Sequence, residues 1–245
     1  MRNIKCVIAY DGSGYMGWQT QAGVRTVQGV VEHAIEKVLG HPVRVVASGR
    51  TDTGVHALGQ VMNFPTGTTV PVQGLLRGLN SVLPGDVAVL SAEDAAPEFH
   101  ARTMARNKTY VYVLDTSPVR NPFLDRYALH VGGPLDGNAM REAAHLLTGE
   151  HDFASFQATG SGVKTTVRTI TTSEVAINGD KLYVWMQGSG FLRHMVRNIV
   201  GTLLLVGQGR LEPADMHRIM ALRDRRHAGP TAQPQGLYLM GVAYE

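Results

Sequence analysis

The sequence predicts an α+β protein built from two ferredoxin-like, RRM-like β-α-β-β-α-β halves, with mostly antiparallel sheets meeting at a central cleft. Three observations carry this prediction. Short runs with apolar residues at period two alternate with longer runs at helical spacing, in the order β-α-β-β-α-β. That order occurs twice in 245 residues, a length that suits one large or two small domains. The runs are punctuated by Gly, Asn and Asp where helices must stop and chains must turn.

In the first half, "IKCVIAY" (4–10) places Ile4, Cys6, Ile8 and Tyr10 on one face and reads as a strand. A glycine-rich loop follows. "TVQGVVEHAIEKVLG" has the helical pattern Val27, Val30, Val31, Ala34, Ile35, Val38, with Thr26 as N-cap and Gly40 as stop. Strands are expected at 43–48 and 59–64, a helix at 71–83 and a strand at 86–95. In the second half a strand is expected at 108–115 and a helix at 136–149 behind Asp136. A hairpin turns at Asn178-Gly179. Two helices, "GFLRHMVRNIVGTLLLVGQG" and "EPADMHRIMALRD", precede the closing strand "GLYLMGVAYE". The seam falls near 100–107, giving domains 1–105 and 106–245. Residues 116–135 and 157–166 are long insertions, the kind of segment in which binding is often housed.

Hydrophobic residues make up 44% of the chain and charged residues 18%, which suits a packed globule. The formal charge is +3 and the pI about 9.1. Arg dominates the basic residues, with Lys only at 5, 37, 108, 164 and 181. Arg forks match phosphate and base edges, although a GC-rich coding sequence also favours Arg. The single cysteine, Cys6, lies in an apolar run, as a core residue would in a reducing compartment. A multi-Cys zinc site is excluded, and the scattered His residues do not share metal-ligand spacing. The opening residues lack the pattern of a signal peptide, and "IVGTLLLVG" is too short to span a bilayer. A cytoplasmic protein, without a metal or a membrane partner, is expected.

"GSGYMG" (12–17) matches G-x-G-x-x-G, but the next helix begins near Thr26, well past the glycines, so a dinucleotide fingerprint does not fit. No nucleophile elbow recommends a Ser or Cys triad. The stretch "ASGRTDTGVHALGQ" (47–60) surrounds one carboxylate, Asp52, with Arg, Thr, Gly and His. On spacing alone it is either an Asx turn or a functional carboxylate. Tyr110 and Tyr112 alternate with Val111 and Val113. Tyr112 reads as core, and Tyr110, taken to start the strand, as a ring that could meet a base. In "FLRHMVRNIVG", Arg193 and Arg197 are one turn apart. The pair reads either as a solvated basic face or, since Arg197 is flanked by apolar residues, as a partly buried Arg that needs a carboxylate partner; Asp52 can be that partner if the sheets of the two halves meet at a cleft. Gly201 would let another backbone come close.

Taken together, "YDGSGYMGWQTQ", "TVQGVVEHAI", "GRTDTGVHALGQ", "FHAR", "KTYVYVL", "GFLRHMVRNIVG" and "GLYLMGVAYE" resemble the tRNA pseudouridine synthase A family, named for positions 38–40 of its target tRNA. The resemblance runs nearly the whole chain in the family's order. It implies the pseudouridine synthase fold and a homodimer that needs no cofactor or metal. It also implies conversion of uridine to pseudouridine at positions 38, 39 and 40 of the anticodon stem-loop. It assigns the catalytic Asp to Asp52, its Arg partner to Arg197 and the stacking Tyr to Tyr110. Arg50 is matched to an Arg implicated in RNA contact and base flipping, and Phe99, His100 and Arg102 to the RNA-binding "FHAR" segment. Lys164 and Arg168, which flank a Gly/Ser/Thr-rich segment, are further candidate phosphate contacts. Thr53, where the family commonly has Ala, and Gln233, where it usually has Pro, depart from the pattern.

The chemistry asks for these residue types. The N1–ribose bond breaks, the uracil turns, and it rejoins through C5. Nothing is oxidised and no water is consumed. A carboxylate is needed near C1′ and C6, as a nucleophile or as a base at the sugar. An adjacent Arg favours its charged form. A base within a stem must leave the stack, which costs about a few kcal/mol, and an aromatic face can receive it. One rival is a non-catalytic RNA-binding module of the same fold, which would want an RNP1-like aromatic run that is absent here. The other is a glycoside or nucleoside hydrolase, most of which use two carboxylates where this turn holds one.

Overall fold

The structure, a computed structural model, describes residues 1–160 and 162–245; Ser161, within the expected 157–166 loop, lies outside the described residues. The chain forms two compact units, Met1–Arg106 with Tyr238–Glu245, and Asn107–Leu237.

In the first unit, β1 (Arg2–Tyr10) pairs antiparallel with β3 (His56–Thr66) and β4 (Val87–Ala95). Its period-two face, Ile4, Cys6, Ile8 and Tyr10, is buried. Burial pushes the Cys6 thiol up to about 12, so it stays a protonated core group. Helix α1 (Val27–Leu39) starts where Thr26 Oγ1 accepts the Gly29 N–H at 3.3 Å and stops at Gly40, φ 75°. It buries Val27, Val31, Ala34 and Ile35 and packs on α2 (Val72–Val82), whose Leu75 and Leu79 are buried. Strand β2 (Val46–Ala47) is only two residues long and pairs with β3. The strand expected at 43–48 is shorter at both ends: the Val45 N–H goes to Glu32 Oε1 (3.0 Å) and not to the sheet, and the last backbone bond to β3 is from the Ser48 N–H to Val61 O (2.8 Å). There Ser48 Oγ donates to Gln60 Oε1 (2.6 Å) and Gln60 Nε2 donates to Gly49 O (2.9 Å). The order β4-β1-β3-β2 is that of the split β-α-β-β-α-β unit. In β10 (Leu237–Ala243), Tyr238 and Leu239 pair in parallel with His56 and Ala57.

In the second unit, β5 (Asn107–Asp115) and β8 (Val167–Asn178) flank β9 (Lys181–Gly188), all antiparallel. The β8–β9 hairpin turns at Gly179-Asp180, one residue later than expected, because Asn178 still pairs with Lys181; Gly179 is at φ 55°. Two short strands were not expected from sequence. β6 (Leu129–His130) runs parallel to the end of β5, and β7 (Gly149–Asp152) edges β8. Helix α3 (Gly137–His145) starts at Asp136, which accepts the Asn138 and Ala139 N–H groups. It ends before the expected 149 because the chain tightens after His145, with the Leu147 N–H bonded to Ala144 O and the Thr148 N–H to His145 O (3.1 Å each), and Gly149, φ 112°, then opens β7. Helix α4 (Met195–Gly207) starts later than "GFLRH" suggested, because His194 sits in the left-handed region at φ 59° and cannot continue a helix. α4 is buried along most of its length and packs on α3; α5 (Asp215–Leu222) follows.

Candidate active site

The turn carrying Asp52 is held from below by the glycine loop. The Trp18 N–H donates to Thr51 O (3.0 Å), the Gly54 N–H to Tyr15 O (3.3 Å) and the Val55 N–H to Asp52 O (3.1 Å). The Tyr10 hydroxyl and Thr51 Oγ1 share a hydrogen bond at 2.8 Å. The G-x-G-x-x-G glycines serve this contact. A Cβ on Gly12 would lie 2.0 Å from Val55 O, and one on Gly17 2.8 Å from Thr51 O, with Gly17 at φ 83°. The loop therefore braces a carboxylate-bearing turn, where a dinucleotide fingerprint would cradle phosphate. Asp52 is half-buried at the crest of this turn, and Arg50 is exposed beside it.

The turn ends at His56, which is 2% exposed. Its ring stacks on Tyr238 (centroids 4.7 Å apart, planes 21° apart), and Nδ1 lies 3.1 Å from Gly12 N and 3.2 Å from Asp11 Oδ1. Sequence reasoning singled out Asp52 but not this support. The one signal available was the polar residues Ser48, His56 and Gln60 within otherwise apolar strand runs.

Arg197 sits on α4, half-buried. Its Nε donates to Ala232 O (2.8 Å), and its own carbonyl accepts the Ala232 N–H (3.0 Å). The strap 228–233 lies so close to α4 that a Cβ on Gly201 would be 1.7 Å from Pro230 O. The close approach expected at Gly201 is thus made by this strap. Asn198 fastens it further, its Oδ1 accepting from Thr231 Oγ1 (2.6 Å) and from Arg225 Nη2 (3.1 Å). The strap continues to Gln233, whose carbonyl accepts the hydroxyl of the fully buried Tyr112 at 2.6 Å.

Tyr110 is the fourth residue of β5 and not its first, and it is 9% exposed. It meets Phe191 edge-on, with centroids 5.1 Å apart and planes at 80°, which fixes its ring plane. Lys164 is exposed. Arg168 is half-buried and spends Nη1 on the carbonyls of Thr165 (3.0 Å) and Val167 (2.5 Å), and burial lowers its pKa. Phe99 and His100 are half-buried and Arg102 exposed, on the turn after β4. Asp52, Arg50, Phe99, His100 and Arg102 belong to the first unit, and Tyr110, Arg197, Lys164 and Arg168 to the second. Among the described residues no cluster of three or more His, Cys, Asp or Glu could hold a metal ion, and no helix is long and apolar enough to cross a membrane.

A family model described as tRNA pseudouridine synthase matches residues 6–103 and 143–245. Both the braced turn and α4 fall inside the matched stretches, whereas Tyr110 falls between them. Over 244 residues the chain is 46% identical to a tRNA pseudouridine synthase A of Geobacter sulfurreducens and 44% identical to one of Thermoanaerobacter sp. In each case the alignment covers 100% of both chains. A tRNA pseudouridine synthase A of Brevibacillus brevis is 45% identical over the same span. Among solved structures, the archaeal box H/ACA sRNP Nop10-Cbf5 complex is similar at 14% identity and a TM-score of 0.38, covering 82% of this chain and 43% of that chain. That likeness is too distant to carry a functional argument.

Proposed function

The chain belongs to the tRNA pseudouridine synthase family, and from that premise we propose that it isomerises uridine to pseudouridine in the anticodon stem-loop of tRNA, at positions 38, 39 and 40, with Asp52 as the reacting carboxylate. The observation that carries this reading is the braced turn. Asp52 stands on a loop whose backbone is fixed on both sides, by Trp18 to Thr51 and by Gly54 to Tyr15. A carboxylate that must meet an anomeric carbon within a few tenths of an ångström needs such a mount.

In this reading the target uridine leaves the stem, and Tyr110, its ring plane set by Phe191, receives the base. Asp52 acts at C1′ or C6, or as a base at the sugar, while the N1–C1′ bond breaks. The uracil turns, the C5–C1′ bond forms, and the hydrogen on C5 is lost as a proton. Arg197, steadied by the strap through Ala232, is the guanidinium that keeps the carboxylate ionised. Arg50 contacts the RNA beside the reacting nucleotide. Phe99, His100, Arg102, Lys164 and Arg168 contact its flanks, and the protein works as a homodimer. The test is to incubate the protein with tRNA tritiated at uridine C5. Tritium release matched by pseudouridine in the anticodon stem is the expected result. Release of free uracil would favour a hydrolase, and binding without release a non-catalytic RNA-binding protein.

A further inference from the structure

The turn that carries Phe99, His100 and Arg102 is held by two buried amides that no motif singled out. Asn3 on β1 is 7% exposed and Asn63 on β3 is 6% exposed. Asn63 Nδ2 donates to Asn3 Oδ1 (2.9 Å) and to Phe99 O (3.3 Å), and Asn63 Oδ1 accepts the Ala101 N–H (2.9 Å). Asn3 Nδ2 donates to Ala96 O (3.1 Å) and Phe99 O (2.9 Å). The far side of the turn is closed by Tyr244, whose hydroxyl donates to Ala101 O (2.8 Å) and whose ring lies 5.0 Å from that of Phe99. The Lys5 ammonium, paired with Glu93, lies 5.4 Å and 5.3 Å from the Phe99 and Tyr244 ring centroids.

We infer that Asn3 and Asn63 are positioning residues for tRNA binding, acting by fixing the turn that presents Arg102, which the His100 ring closes by accepting the Arg102 and Thr103 N–H groups at Nδ1 (3.3 Å each). The inference rests on the reading of Phe99–Arg102 as an RNA contact. Two strand-borne amides spend their polar atoms on one another and on a single turn. A hydrophobic pair would fill the same space between β1 and β3 at no desolvation cost, so what the amides add is a defined course for residues 96–101. The chemistry of the side chain matters. An amide both donates and accepts here, so neither Asp nor Leu reproduces the pattern.

The placement separates this role from the chemical step. Asn63 stands seven residues along β3 from His56, where the Asp52 turn ends, roughly 23 Å at ~3.3 Å per residue. A contact displaced that far meets tRNA flanking the reacting uridine. Its loss falls on KM more than on kcat.

The experiment is steady-state pseudouridine formation by the full chain on tRNA, with Asn63→Ala, Arg102→Ala and the double variant, each checked for wild-type circular dichroism. The expectation is that Arg102→Ala raises KM about tenfold, the scale of one charge-assisted contact, and changes kcat less. Asn63→Ala should raise KM comparably. In the Asn63→Ala background, Arg102→Ala should add less than about twofold, because the contact is already misplaced. A folded Asn63→Ala with wild-type KM, beside an impaired Arg102→Ala, overturns the inference and leaves the RNA-contact reading standing. Wild-type KM in Arg102→Ala and in His100→Ala overturns that reading and the inference with it. If Asn63→Ala does not fold, Asn3→Ala takes its place, since it removes the bonds to Ala96 O and Phe99 O from the other strand. A two- to fourfold rise in KM supports the positioning role, and an unchanged KM overturns it.

Discussion

Replacing Gly201 with Ala tests whether the strap 228–233 holds Arg197. The added Cβ would stand 1.7 Å from Pro230 O, where ordinary contact begins near 3.4 Å, so helix and strap must part by more than an ångström. Neither side yields easily. Gly201 lies inside α4, and the strap is bonded at Ala232, Thr231 and Gly229. Overpacking costs about 1–3 kcal/mol, and weakening the two Arg197–Ala232 hydrogen bonds adds about 1 kcal/mol each. A loss of about 4 kcal/mol lowers Tm by roughly 10 °C in a chain of this size. Because Arg197 loses its Ala232 anchor, kcat should fall as well, even at temperatures where the variant remains folded. Gly67→Ala is the control, since an added Cβ there meets nothing within 4 Å. Differential scanning calorimetry and tritium release on the three proteins decide the matter. A Gly201→Ala protein with Tm within about 2 °C of wild type and full turnover would refute the reasoning.

Two further outcomes follow from buried groups. Tyr110→Phe keeps the edge contact with Phe191 and should retain tRNA binding and turnover. Tyr110→Ala empties a nearly closed site, so stability should fall by about 3 kcal/mol along with activity; turnover at wild-type rate by a folded Tyr110→Ala would remove the stacking role. Asp115 is 1% exposed; burial alone would raise its pKa, but bonds from the Ser117 hydroxyl, Lys181 Nζ (2.9 Å) and the Ser117 N–H together hold it at about 2. A depressed carboxylate contributes stability that is present above its unfolded value near 4 and is lost as pH falls through 2. Denaturant unfolding from pH 6 to pH 2 should therefore show Asp115→Asn losing about 2 kcal/mol less than wild type, and parallel curves would contradict this.

Much of the fold was legible because the period-two and helical patterns are strong where one face is buried. The Ile4–Tyr10 alternation, the Thr26 cap and the Gly40 stop stand as read, and the hairpin turn lies one residue past the expected Asn178-Gly179. The two-residue β6 and the four-residue β7 were hidden, since so few residues cannot display a period, and β2 was read too long. The late start of α4 was hidden too, because the left-handed backbone of His194 has no signature in a non-glycine residue. At the site, sequence pointed to Asp52, Arg197 and a close approach at Gly201. It could not tell that the approaching backbone is Pro230, or that the glycines of "GSGYMG" lie against Thr51 and Val55. Such contacts join residues far apart in the chain, and spacing along the sequence does not encode them. The burial of Tyr110 was likewise illegible: the expected strand begins within one residue of β5, but the groups that cover Tyr110, Met186 opposite it on β9 and Phe191 against its ring, lie far away in the chain.

The account stands or falls on Asp52. Asn at this position keeps the shape of the side chain and could make the same bonds in an Asx turn, but it carries no charge with which to attack carbon or accept a proton at neutral pH. The measurement is tritium release from C5-labelled uridine in tRNA by Asp52→Asn, beside its thermal unfolding and its tRNA affinity. The account predicts wild-type folding and binding, with release lowered by roughly a thousandfold or more. Release near the wild-type rate by a folded, tRNA-binding Asp52→Asn would contradict it.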